Sequence, residues 1–206
     1  MATSALIQGG ILGFAMIIPI GVQNAFILSQ GIRCNHHYLT AFICLICDIV
    51  LTTVGVFGGS KLITSSQYLL LLIGWGGILF LLFYASSALY RAYQGHYAKP
   101  NQTKELASRK AVIITTLAVT LLNPHVYIDT VVILGNIGST FNDNDKVYFT
   151  MGAIFAASLW FFGLSASAAK LAPWLSRPRI LRIIDLFISG VMLFVAYKLY
   201  ASLLAY

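Results

Sequence analysis

Acidic residues are nearly missing from this chain: there are six among 206, and charged residues of both signs amount to only 9%. A soluble domain carries about 25%. With 59% of its residues hydrophobic, a soluble chain of this length has no way to hide its apolar surface, so lipid is the expected solvent. Cysteine is scarce as well, with three residues, Cys34, Cys44 and Cys47, and nothing in their placement suggests a disulfide framework. Cys44 and Cys47 have C-x-x-C spacing, but they lie in an apolar run without zinc partners and read as small apolar residues. No nucleophile–base–orienter set and no H-x-x-x-H pair is present. An enzyme, a resident metal and a cofactor are therefore not expected. The segment Met1–Leu6 lacks the basic start of a cleaved signal peptide, and the apolar stretch after it is too long for a signal core. The net charge of +7 comes without a groove-reading motif, so nucleic acid is not an expected partner.

What is present is a series of apolar windows, at 5–29, 38–60, 68–92, 111–136, 147–171 and 183–204. A spanning helix takes about 20 mostly apolar residues. Six of them use almost the whole chain and predict an all-α membrane protein with one transmembrane domain, 1–206. A basic loop, 93–110, joins halves 1–92 and 111–204. Ten of the basic residues fall on one side: Arg33, Arg91, Lys99, Lys104, Arg109, Lys110, Lys170, Arg177, Arg179 and Arg182. Lys61, Lys146 and Lys198 fall on the other. By the positive-inside rule the loop is cytoplasmic and both termini are outside. A re-entrant first window would instead place the N-terminus inside. Three helices per half reverse the second half relative to the first, as in the inverted repeats of secondary transporters. Each half opens with a helix expected to break at proline, Pro19 with Gly21 in the first and Pro124 in the fourth. The Asn101-Gln102-Thr103 glycosylation pattern falls in the cytoplasmic loop and is taken as chance. His36 and His37 read as loop histidines near lipid headgroups.

Four of the acids, Glu105, Asp143, Asp145 and Asp185, lie in loops or at a helix end, with Asp185 expected to offset Arg179 and Arg182. The other two, Asp48 and Asp129, fall inside windows. A mid-bilayer aspartate costs about 2.5–3.5 kcal/mol to insert, and no basic residue sits mid-window to neutralise either. Each must be protonated, face a wet cavity, or meet a cation from outside the chain. Straight helices would offset the two by about 12 Å at about 1.5 Å per residue, so they are expected along one pathway and not as a contacting pair. Loosened backbone at a proline is tolerated in lipid only where protein or water satisfies it. Gln23 and Asn24 flank the first break; Asn123, His125 and Tyr127 flank the second. Both clusters read as cavity walls. His125 can relay protons near neutral pH or cap the broken helix, and the sequence leaves both open.

The run Pro19-Ile20-Gly21-Val22-Gln23-Asn24-Ala25-Phe26 with Gln30-Gly31, Asp48, and Asn123-Pro124-His125-Val126-Tyr127-Ile128-Asp129-Thr130 resembles the lysine/arginine exporter (LysE) family, most closely its arginine exporter branch. The resemblance covers essentially the whole chain. Val22 departs from it, since the family usually has a second proline before Gln23. The resemblance implies a bacterial inner-membrane exporter of basic amino acids, arginine or lysine, driven by an ion gradient. On this reading Asp48 and Asp129 attract the substrate cation and one of them carries the coupling proton. Gln23, Asn24, Asn123, His125 and Tyr127 contribute to the substrate site, and partners are the basic amino acid, protons and the bilayer. Homo-oligomerisation is compatible with the sequence and not required by it. The alternative is a divalent metal cation exporter or a cation channel using the same acids.

Overall fold

The computed structural model describes residues 2–19, 21–59, 67–95, 107–175 and 177–204. Ile20, Lys61, Lys99, Glu105, Lys104 and the Asn101–Thr103 pattern lie outside the described residues. Every regular element described is helical. An apolar medium favours this, because a polar backbone there must satisfy its N–H and C=O groups within its own segment. The chain runs as α1 (Ala2–Ile17), α2 (Val22–Ile32) and α3 (His37–Val54), the last continuing into a short tail, Gly55–Gly59, that kinks at Gly58 with φ 110°. Next come α4 (Gln67–Gln94) and α5 (Arg109–Leu121). Element α6 (124–139) is composite: one turn at Pro124–Val126, a π-helical stretch at Tyr127–Leu134, and a final turn and a half at Gly135–Ser139. The long helices α7 (Asp143–Leu175) and α8 (Pro178–Leu204) complete the chain.

Among the described residues, three helices are long and apolar enough to cross a membrane: His37–Gly58, Asp143–Leu175 and Pro178–Ala201. Helices α1 and α2, bent by 79° between Ile17 and Val22, make a fourth if the pair is one span. Large apolar side chains such as Leu79, Phe83, Ile114 and Phe155 are exposed on the outside of the bundle, where a membrane protein meets lipid.

Helix α1 packs along α7, and α4 along α8. Helix α2 is enclosed by α3, α5, α7 and α8, and nine of its eleven residues are buried. Two of the crossings that bring backbones into direct contact are made by paired glycines. A Cβ added at Gly9 would fall on the carbonyl of Phe149, and one at Gly152 on the carbonyl of Leu6. At the second crossing, a Cβ at Gly55 would lie 2.8 Å from Val131 Cα, and one at Gly135 would lie 2.8 Å from the Gly55 oxygen. Lipid gives helices no hydrophobic reason to associate, so small residues that admit close backbone contact carry the packing.

Candidate functional site

A cavity of about 340 Å³ lies where the breaks in the helices meet, within the size range of small-molecule sites. Its floor is the opening turn of α2. Gly21 precedes that helix in an extended conformation, with no side chain capping the first N–H groups, so these donors have no partner within the helix. Gln23 and Asn24 line the cavity from this turn, Asp48 and Thr52 from α3, and Asn123, His125, Asp129 and Thr130 from the start of α6. Ala153, Ala157 and Phe161 of α7 close the wall. Pro19 and Gly21 also line it.

The two intramembrane acids therefore share one cavity. Asp48 is 5% exposed, and Asp129 is close enough for its charge to act on Asp48. Straight parallel helices would have offset them along the bundle; here α6 begins only after an interruption at Leu122–Asn123. Gln23 lies beside Asp48, yet its buried amide nitrogen has no partner at hydrogen-bonding distance. His125 stands one turn before Asp129 and is exposed. Among the described residues, the ion pairs are Arg33–Asp185, Arg91–Asp185 and Lys146–Asp143. Neither Asp48 nor Asp129 belongs to them.

Asn24 is bound up with the protein itself. Its amide nitrogen donates to the carbonyls of Ile17 at 2.6 Å and Pro19 at 3.0 Å, the groups left over where α1 stops. Its Oδ1 accepts from the indole N–H of Trp160 at 3.2 Å. Both amide hydrogens are thus engaged. The second break has a matching device. The Asn123 Oδ1 accepts from the backbone N–H of His125 at 3.2 Å, and the Tyr127 hydroxyl donates to the Leu121 carbonyl at 2.8 Å. Tyr127 is not among the lining residues; it packs with Leu51, Val126 and Val131.

Sequence reasoning did not single out Thr52, Thr130 or Trp160. Thr52 follows Asp48 by one helical turn, a spacing that puts both on one face and was readable in principle. Trp160 reaches Asn24 across 136 residues, and no local signal announces such a contact. Asp185 pairs with Arg33 and Arg91, on other helices, which chain proximity to Arg179 and Arg182 did not suggest. Arg182 itself is exposed.

Interrupted helices around a cavity that holds two carboxyl groups, inside a bundle with helices apolar enough to cross a membrane, define an integral membrane protein. The chain belongs to the LysE type translocator family, whose model matches residues 14–203. It is 47% identical over 193 residues, 94% of each chain, to a protein of Aeromonas salmonicida provisionally named an amino-acid transporter, YggA. It is 44% identical over 196 residues to the arginine exporter protein ArgO of Yersinia enterocolitica, covering 95% of this chain and 96% of that one. With ArgO of Pectobacterium carotovorum the identity is 43% over the same length and coverage. No solved structure matches the chain.

Proposed function

We propose that this protein is a secondary transporter that exports arginine, with lysine as a second substrate, across the bacterial inner membrane in exchange for protons. One observation carries the reading: two carboxylates share a cavity inside an apolar bundle and take part in none of the ion pairs among the described residues. A buried acid without a counter-charge calls for a proton or a cation. A basic amino acid meets the rest of the cavity too. Its side chain faces Asp48 and Asp129, and its carboxylate faces the open N–H groups at the start of α2, where the helix dipole favours an anion. Gln23, whose amide nitrogen has no protein partner, supplies a further donor. Asn123 and His125 stand at the opposite wall. The relatives named arginine exporters support the choice of substrate.

Six spans in two inverted halves fit this reading. Helices α1–α2 and α5–α6 each form one broken span, with Pro19 and Pro124 at the interruptions. The excess of basic residues at one end places that end in the cytoplasm.

Exporting one positive charge against an inside-negative potential costs about 2.3 kcal/mol per 100 mV, so a cationic substrate needs a coupled ion. An aspartate that binds the substrate as carboxylate and returns as carboxylic acid couples the two. The test is uptake of labelled arginine into inverted vesicles under an imposed proton gradient. Asp48→Asn and Asp129→Asn are each expected to lower uptake at least about 30-fold, since removing one partner of a buried charge contact costs about 2 kcal/mol or more. Full proton-driven uptake in both variants overturns the mechanism. Metal tolerance unchanged beside altered tolerance to canavanine, an arginine analogue, separates this reading from divalent-cation export.

A further inference from the structure

The cavity lies on one side of α2's buried length, and the other side is sealed. From the cavity floor toward the end of α2, the residues Val22, Ala25 and Phe26 are packed with Leu81, Ala85 and Ile188 in one buried cluster. Further along, Ile32 is packed with Ala168 and Leu181. Beyond these apolar layers stands a buried carboxylate. The Asp185 side chain, on α8, is fully buried and accepts from Arg33 at 2.8 Å and from Arg91 at 3.3 Å. Arg33 ends α2, and Arg91 lies in the last turn of α4. The Arg91 guanidinium also sits 5.9 Å from the Tyr84 ring centre. One carboxylate thus ties three helices together at the end of the molecule where the basic residues gather.

We propose that Arg33, Asp185 and Arg91 form a latch that holds this end closed while the cavity is formed, and that admitting substrate from that side requires the latch to part. A charge-assisted pair made to a buried carboxylate is strong and directional, which suits a closed state with one fixed geometry. The arginine side chains are 29% and 35% exposed, whereas the carboxylate they share is fully buried. Helix α2 is the moving part that this arrangement selects. It carries both the cavity floor and one latch arginine, and it is joined to α1 through the interruption at 18–21 that Asn24 bridges. The proposal deepens the transport reading and rests on it for the direction of substrate entry, but its test needs no substrate.

Cys44 provides the reporter. It is fully buried one turn from Asp48 on the latch side of the cavity, 3.7 Å from the Thr120 hydroxyl. In a chain carrying Cys34→Ser and Cys47→Ser, a membrane-impermeant maleimide is applied to the face bearing the latch. That face is identified by labelling of the exposed Cys34 in the parent chain. Asp185→Asn is expected to speed Cys44 labelling at least about tenfold, and Arg33→Gln, at a partly exposed position, by a smaller factor in the same direction. The swap Arg33→Asp with Asp185→Arg is expected to bring the rate back toward that of the parent, which a general loosening of the fold would not do. Labelling at the parent rate in both Asp185→Asn and Arg33→Gln, or equal acceleration in the swap, overturns the latch. A parent chain that labels as expected but moves no arginine overturns the transport reading instead.

Discussion

Asn24 shows how a residue can line a site and still belong to the scaffold. In lipid, the carbonyls of Ile17 and Pro19 have no water to turn to, and the Asn24 amide satisfies both. Asn24→Ala leaves them unpaired at about 1–3 kcal/mol each, and about 2–4 °C is lost per kcal/mol in a chain of this size. A fall of several degrees in the unfolding temperature of the detergent-solubilised protein is the expected outcome. Asn24→Asp does not rescue it, because a carboxylate has no hydrogen to donate. An unchanged unfolding temperature in Asn24→Ala removes the bridging role. The same residue marks a limit of sequence reading. That Gln23, Asn24, Asn123, Asp48 and Asp129 line one cavity agrees with reading both polar clusters as cavity walls, because polar groups in apolar windows gather where protein, water or a solute can satisfy them. Which of them are occupied by their own backbone was not legible, because that depends on where each helix stops.

At the scale of elements, helices and the membrane class were legible in composition and window length. Helix type was not. The π-helical stretch Tyr127–Leu134 leaves no period in the sequence that differs from an α-helical run of the same residues. Yet it lies at the crossing of α3 and α6, and it carries Asp129. Widened turns of this kind are frequent at functional positions. The crossing is made by Gly55 and Gly135, whose backbones approach too closely for any side chain. Gly55→Leu is expected to abolish recovery of monodisperse protein from the membrane. Gly190→Leu, at a position with open space around it, leaves recovery unchanged and serves as the control. Size-exclusion chromatography in detergent reads both. Recovery of Gly55→Leu at the parent level would show that α3 and α6 need not touch there.

At the scale of the whole molecule, charge is distributed by end. Arg33, Arg91, Arg109, Lys110, Arg177, Arg179 and Arg182 all stand where α2, α4 and α7 finish and α5 and α8 begin. Lys146 and Lys198 lie toward the opposite end, and Lys146 is paired with Asp143. Basic residues near span ends tend to stay on the cytoplasmic side during insertion, and on the proposed reading this bias sets the orientation. Cys34, next to Arg33 and exposed, reports on that end directly. A membrane-impermeant maleimide is expected to label Cys34 in inverted vesicles and to leave it unlabelled in intact spheroplasts, with Cys44 and Cys47 protected by burial in both. Labelling only from the outside reverses the whole assignment: the latch then faces the periplasm. Moving the bias supplies the complementary test. Replacing Arg177, Arg179 and Arg182 together by glutamine weakens the signal at one short loop and leaves Arg33, Arg91, Arg109 and Lys110 in place, so orientation is expected to hold for most molecules. Inversion of the majority by that one change would show that the short α7–α8 loop, and not the sum over the end, decides which way the chain enters the bilayer.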